Sequence, residues 1–267
     1  SQSATPLTLE EEGASGTVGV VLGKQPTSDV VISISLDGSL TGRASLNVST
    51  LTFTNANWNT QQDVTVTAVS DDIDNDNVTG DITFSIVDAS SDDDFDALPD
   101  QTVTLTITDN DTAGLDITPT SLNIDEGPVG TPNTATVSVQ LTSQPAAGSV
   151  KVDVDISALS GRVSVDPSSL TFDDTDWNSG KTVTFTSVPD GIDTGDISQN
   201  ASFDVVNGET DDSSFHGKTE NVLVTVNDND TAGFTLSANS ITLANEADPV
   251  SMTVRLNAKP SANVIID

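Results

Sequence analysis

The sequence predicts an all-β chain of tandem, immunoglobulin-like Greek-key β-sandwiches, and three observations carry that expectation. The hexapeptide Asp109-Asn110-Asp111-Thr112-Ala113-Gly114 returns as Asp228-Asn229-Asp230-Thr231-Ala232-Gly233, 228 − 109 = 119 residues later, and Trp58 and Trp177 are also 177 − 58 = 119 apart. A fixed period marks copied units. Val, Ile and Thr alternate with period two through most of the chain, with no long stretch of helical periodicity. Each period holds seven such segments separated by turn residues, the count of an immunoglobulin-type sandwich.

The period divides the chain into units at 1–114 and 115–233, followed by a piece, 234–267, that matches only the opening of a repeat. In the first unit, strand A is expected near Pro6 to Leu9, B at Thr17 to Leu22 and C at Val30 to Leu36. D follows at Ala44 to Thr54 with a break, then E at Asp63 to Val69, F at Asp81 to Val87 and G at Gln101 to Thr108. In G, Val103, Leu105 and Ile107 alternate with Thr102, Thr104 and Thr106, giving the one apolar and one polar face that a two-sheet sandwich requires.

The second unit repeats the plan at Ser121 to Ile124, Ala135 to Leu141, Val150 to Ile156, Arg162 to Phe172, Thr182 to Val188, Ala201 to Val206 and Asn221 to Val226. In the third piece, Ser240-Ile241-Thr242-Leu243 echoes Ser121-Leu122-Asn123-Ile124, and Leu256 to Pro260 echoes Leu141 to Pro145. With no signal peptide and no apolar run near 18 residues, the chain reads as a piece of a longer protein that does not insert into a membrane.

Eight Lys and Arg face 41 Asp and Glu, a formal charge of −33, which argues against nucleic acid and anionic membranes as partners. Of the 41 acids, 34 are Asp, which favours turns and chelating loops where Glu favours helices. No cysteine is present to staple the fold, so a divalent metal is the obvious substitute.

Strand alternation places the A-B, C-D and E-F loops and the end of G at one pole of each sandwich. The acids gather at that pole: Glu10 to Glu12 in A-B, Asp37 in C-D, Asp71, Asp72, Asp74 and Asp76 in E-F, and Asp109 and Asp111 after G. The second unit supplies Asp125 and Glu126, then Asp190 and Asp193, then Asp228 and Asp230. Asp92 to Asp94 in F-G are the exception. Carboxylates converging without Lys or Arg neighbours repel one another unless a cation sits among them. Hard oxygen ligands on flexible loops suit Ca²⁺ better than Mg²⁺. Asp72-Ile73-Asp74-Asn75-Asp76 opens like an EF-hand loop, but Asn77 and Thr83 stand where Gly and Glu are needed.

These residues carry a resemblance. Leu51-Thr52-Phe53, Asn57-Trp58-Asn59, Val64 to Thr67, Asp71-Asp72, Ser91 to Phe95 and the closing Asp-Asn-Asp-Thr-Ala-Gly resemble Calx-β-type tandem repeats of giant secreted bacterial surface proteins and biofilm adhesins. In that family calcium is held by a Glu after the first strand, acids after strand E and an acidic run ending strand G. The resemblance assigns those roles to Glu12, Asp71, Asp72, Asp109 and Asp111, and to Glu126, Asp190, Asp228 and Asp230. The loop positions of Asp74 and Asp193 add them to the same sites. Two departures stand out: the Asp-Tyr usual before strand D is absent, and Gly191 replaces the second acid after strand E in unit two.

Other features lead to no chemistry. His216 is the single histidine and has no nucleophile partner, no carboxylate pair is framed by an aromatic sugar platform, and no enzyme activity is expected. The Thr-x-Thr runs are ordinary outward strand residues rather than an ice-binding array, and the Asn-x-Ser/Thr sequons are coincidental. The expectation is a calcium-rigidified stalk in an extracellular or cell-surface adhesin, with neighbouring repeats as its first partners. The alternatives are a module gripping glycan or protein near Trp58 and Trp177, and a subunit that self-associates laterally through its incomplete third repeat.

Overall fold

The computed structural model describes residues 5–243 and 249–267 and separates into two compact units, Ser1–Thr112 and Ala113–Asp267. Residues 1–4 and 244–248, within the first and third expected units, lie outside the described residues. The first unit contains β1 (Leu7–Glu10), β2 (Ser15–Val20), β3 (Val30–Leu36), β4 (Ala44–Leu46), β5 (Thr50–Phe53), β6 (Gln62–Ala68), β7 (Val78–Ile86) and β8 (Gln101–Thr108). They form a five-stranded sheet, β1-β8-β7-β3-β5, against a three-stranded sheet, β2-β6-β4. Alternation does what the pattern requires: Val103, Leu105 and Ile107 of β8 are buried, whereas Thr102 and Thr104 face solvent. Phe53, Val64, Val66, Ile82 and Leu105 are fully enclosed between the sheets.

The broken D strand is broken because it changes sheets. Asn47 still belongs to one sheet, donating its N–H to the Thr65 carbonyl while its Oδ1 accepts from the Thr65 N–H. Two residues on, the Ser49 carbonyl accepts from Ile34 N–H in the other sheet. Strand B lies two residues earlier than the alternation suggested, and strand F begins earlier, at Val78.

The second unit contains β9 (Leu115–Thr118), β10 (Ser121–Asp125), β11 (Thr134–Leu141), β12 (Ser149–Asp155), β13 (Val163–Asp166), β14 (Ser169–Asp173), β15 (Lys181–Ser187), β16 (Ile197–Val205) and β17 (Thr219–Asn227). Its sheets run β10-β17-β16-β12-β14 and β13-β15-β11-β9. Strand A is therefore in two parts, since β9 pairs with β11 before Pro119-Thr120 carries the chain across to β10, which lies parallel to β17. The sequence reading missed β9.

The third piece contributes β18 (Phe234–Leu236) and β19 (Val254–Leu256), paired antiparallel with Phe234 opposite Leu256. This copies the pairing of Leu115 with Leu141 in β9 and β11, down to the bond from Asn257 N–H to the Gly233 carbonyl that repeats Thr142 N–H to Gly114. In β9 and β11 those apolar residues are buried, whereas Phe234 is 52% exposed and Val254 45%.

Candidate metal centre

Register decides which acid enters each cluster. β1 runs parallel to β8 with Glu10 opposite Thr108, and the next residue, Glu11, donates its N–H to the Thr108 carbonyl and turns its side chain inward, where it is fully buried. β10 repeats this with Asp125 opposite Asn227 and the fully buried Glu126 bonded to the Asn227 carbonyl. The structure thus corrects the assignment of Glu12, which is exposed, to Glu11. Glu126 directly precedes Gly127, whereas Glu12 stands between Glu11 and Gly13. Gly127 is fixed by its backbone: φ is +84°, and a Cβ there would lie 2.5 Å from the Thr131 carbonyl oxygen.

In unit one, Glu11, Asp109 and Asp111 each offer a carboxylate oxygen, and these lie within 4.8 Å of one another. Glu11 Oε1 accepts from Asp71 N–H at 3.1 Å, which ties the A-B turn to the E-F loop. Asp109 Oδ2 accepts from Asn75 N–H at 3.2 Å, and Asp109 N–H donates to Asn77 Oδ1 at 2.8 Å, so the same loop grips the end of β8. Asp71 Oδ1 accepts from Ile73 N–H and from the Asn75 amide, holding that loop in its own turn. Asp111 Oδ2 is buried and has no hydrogen-bond partner. Asp72 is exposed and Asp74 half-buried.

The electrostatics follow from the crowding. Burial, then the adjoining Asp109 carboxyl, then Asp71 push Glu11 up to about 7, against the opposing pull of Arg43. Asp111 is also raised, by burial first and then by the charges of Asp109, Asp72, Asp71 and Asp74. Asp109, Asp72, Asp71 and Asp74, expected at the same pole as Asp111, are the four charges that act on it. The expectation that they meet without a basic neighbour is corrected. Arg43 Nη2 lies 3.2 Å from Glu11 Oε2 and 3.5 Å from Asp109 Oδ1.

Unit two assembles the same parts. Glu126, Asp228 and Asp230 offer oxygens within 4.8 Å of one another, Glu126 Oε1 accepts from Asp190 N–H at 2.8 Å, and Arg162 Nη2 lies 3.2 Å from Glu126 Oε2. Here, though, Asp228 is well supplied with donors. Its Oδ2 accepts from Thr194 N–H at 2.6 Å and Gly195 N–H at 2.7 Å, and its Oδ1 from Asp230 N–H at 2.9 Å. Burial tends to raise this carboxyl, but those N–H groups outweigh it and hold Asp228 at about 2. Glu126 is raised, chiefly by burial. Asp190 accepts from Ile192 N–H in its own turn, and Asp193, exposed, uses Oδ2 to accept from Ala232 N–H at 2.8 Å beyond the end of β17.

Arg43 and Arg162 were missed, although the period announces them, since 162 − 43 = 119. The F-G acids have a different task at the opposite pole. Asp92 is buried and its Oδ2 accepts from Thr27 N–H, Thr27 Oγ1 and Ser28 N–H, while Asp212 does the same for Ala146 N–H. Both are held below the usual carboxylate range: Asp92 mainly by the Thr27 hydroxyl, Asp212 by hydrogen bonds from Ser214 and Ala146 that overcome its burial. Trp58 and Trp177 are half-buried against the two cores, and their carbonyls accept from Leu22 and Leu141 N–H.

No protein-family pattern matches the sequence, and no curated protein matches it. Among solved structures, CBD12 from CALX1.2 is 16% identical, covers 83% of this chain and 96% of its own, and has a TM-score of 0.37. The CBD12 calcium-binding domain of CALX1.1 is 16% identical over 76% of this chain and 77% of its own, with a TM-score of 0.31. Mouse cadherin-23 EC22-24 is 12% identical over 96% of this chain and 75% of its own, with a TM-score of 0.38. Likenesses this distant carry no information about what the carboxylates bind. The strand order and burial described above establish the architecture: an all-β tandem of immunoglobulin-like Greek-key sandwiches.

Proposed function

We propose that each carboxylate cluster holds Ca²⁺ and that the chain is a calcium-rigidified stalk segment of a large secreted or cell-surface adhesin. One observation carries this reading: Asp111 Oδ2 is buried without a donor among Asp109, Asp71, Asp72 and Asp74. A buried carboxylate oxygen needs a partner, and the groups around it are themselves anionic, so the missing partner is a cation. The donor set is oxygen only, carried by loops, which suits an ion accepting about 6 to 8 oxygens in a flexible shell. Glu11, Asp71, Asp72, Asp74, Asp109 and Asp111 would surround it in unit one, with Asp111 the carboxylate whose buried oxygen is still open to it, and Glu126, Asp190, Asp193, Asp228 and Asp230 would surround it in unit two.

A bound ion would supply positive charge where the fold has concentrated negative charge. Asp109 and Asp111 precede Leu115, the first strand residue of the next repeat, by only a few positions, so ordering them shortens the free linker. At the ~10⁻⁴ to 10⁻³ M dissociation constants of extracellular calcium modules, free calcium ten- to a hundredfold higher adds ~1.4 to 2.7 kcal/mol per site. In this reading 1–114 and 115–233 are complete repeats, 234–267 opens a third, neighbouring repeats are the partners, and no catalysis is involved. Packing of both tryptophans on the cores favours the stalk over a glycan-binding module.

The test is thermal unfolding of the chain in chelator, in millimolar Mg²⁺ and in millimolar Ca²⁺, with X-ray scattering on the same samples. A Ca²⁺-specific rise in midpoint with a stiffer, longer particle is expected. Equal midpoints in chelator and Ca²⁺ would remove the metal assignment and leave the acids as a solvated surface.

A further inference from the structure

We propose that Arg43 and Arg162 are built-in cations that take the place of one divalent ion in each cluster and so set how many ions a repeat holds. This rests on the calcium reading of the clusters. The two arginines occupy the same repeat position, immediately before β4 and β13, and each bridges the same pair of acids. Arg43 Nη2 is 3.2 Å from Glu11 and 3.5 Å from Asp109, and Arg162 Nη2 is 3.2 Å from Glu126 and 3.9 Å from Asp228. The chain has three arginines against 41 acids, so placing two of them at matching points of the two clusters is not a diffuse neutralisation of surface charge.

Burial makes the charge count. The side chains of Glu11 and Glu126 are fully enclosed, those of Asp109 and Asp228 are 5% and 3% exposed, and those of Arg43 and Arg162 are 16% and 11% exposed. Ion pairs withdrawn from water in this way are felt strongly, and removing one partner leaves the other uncompensated. Nε of both residues is buried without an acceptor, while Nη2 of each faces the carboxylates, so the guanidinium is turned toward the acids.

The remaining oxygens show where metal is still wanted. Both oxygens of Glu11 are engaged, Oε1 by Asp71 N–H and Oε2 by Arg43, and both of Asp109 are engaged, by Arg43 and by Asn75 N–H. Of the oxygens of Glu11, Asp109 and Asp111, Asp111 Oδ2 is the one buried without a donor among the described residues. The guanidinium therefore satisfies the Glu11 end of the cluster and leaves the Asp111 end to the ion.

The experiment counts Ca²⁺ bound to the full chain by native mass spectrometry and equilibrium dialysis, for wild type, Arg43→Gln and Arg43→Lys. Arg43→Gln is expected to hold one Ca²⁺ more than wild type, and Arg43→Lys, which keeps the charge, the wild-type number. In chelator Arg43→Gln melts below wild type, and saturating Ca²⁺ closes that gap. An Arg43→Gln chain that binds the wild-type number of ions or fewer overturns the inference, as does one that stays unfolded in Ca²⁺. Those results are distinct from a wild-type chain that binds no Ca²⁺, which removes the calcium reading itself.

Discussion

The cluster at the end of β8 and the cluster at the end of β17 are made from the same parts, yet they stand at different distances from satisfaction. Each has a fully buried Glu, an arginine across from it, an E-F loop N–H on the Glu and two aspartates after strand G. In unit two the E-F loop turns Thr194 and Gly195 N–H onto Asp228, and Gly191 stands where unit one has Asp72. In unit one Asp109 Oδ2 accepts from Asn75 N–H, and four aspartates press on Asp111. Two copies of one loop have thus met the same problem, a concentration of buried negative charge, differently. One supplies fixed peptide dipoles, and the other leaves Asp111 Oδ2 buried without a donor.

The largest expected contrast comes from deleting the buried glutamates. Glu126→Ala removes the partner 3.2 Å from Arg162, and Asp228 is 3.9 Å away, so the guanidinium is left poorly compensated. Breaking a buried pair of this kind costs about 3 to 5 kcal/mol. Glu11→Ala costs less, because Glu11 already titrates up at about 7 and Asp109 remains 3.5 Å from Arg43. Urea unfolding of both variants in chelator measures the gap, and equal losses would show that the two clusters are electrostatically alike.

The pH dependence in chelator separates them next. Glu11 is raised from 4.5 to about 7 by folding, so between those values the native state binds more protons than the unfolded chain, and stability falls as pH rises. The loss approaches ~3 kcal/mol across that window. Glu126 is raised too, which gives unit two the same direction. Asp228 has the opposite sign. It is lowered to about 2, so its contribution is complete above the ordinary aspartate pKa and is lost as pH falls through that low value. Midpoints measured from pH 2 to 8 should show a shallower fall from pH 4.5 to 7 in Glu11→Gln and a shallower acid limb in Asp228→Asn, the remaining slope coming from Glu126 and Asp111 in the first case and from Asp92 and Asp212 in the second. A Glu11→Gln chain that still weakens from pH 4.5 to 7 as wild type does would contradict the assignment.

Calcium sharpens the comparison further. Asp111→Asn should abolish most of the calcium-dependent stabilisation of unit one, a loss of ~1.4 to 2.7 kcal/mol at saturating ion. Asp230→Asn should remove less, since peptide N–H groups already hold its neighbour Asp228. Calcium titrations followed by heat of binding and by melting midpoint read both. An effect of Asp230→Asn equal to that of Asp111→Asn would show that the dipoles of Thr194 and Gly195 do not substitute for the ion.

How much of this was legible in the sequence depends on whether the signal was local. β3 and β8 lie at the residues the alternation marked, because period two is a property of a few neighbouring positions. Glu11 against Glu12 was not legible, since the choice is made by the parallel pairing of β1 with β8, two segments about a hundred residues apart. The crossing of Asn47 to Ser49 between sheets showed only as a break. Arg43 and Arg162 lie in the D region, away in sequence from every acid they pair with, and only the 119-residue spacing marked them.

The smallest calcium dependence is expected at the opposite pole, where Asp92 and Asp212 are structural pegs. Asp92 accepts from Thr27 N–H, Thr27 Oγ1, Ser28 N–H and Asp94 N–H, and Asp212 from Ala146 N–H, Ser214 N–H and Ser214 Oγ. These donors come from the B-C loop and from the F-G loop itself, so each carboxylate fastens two loops that no strand pairing reaches. Replacing either by Asn halves its acceptor capacity and places an NH₂ against peptide N–H groups, which costs about 1 to 3 kcal/mol. The decisive feature is the insensitivity of that loss to calcium. Asp92→Asn and Asp212→Asn should lower the midpoint by the same amount in chelator and in Ca²⁺, whereas Asp111→Asn should act mainly in Ca²⁺. If the loss in Asp92→Asn also became calcium-dependent, the contrast between Asp111, buried without a donor to its Oδ2, and Asp92, whose oxygens accept from N–H groups, would fail.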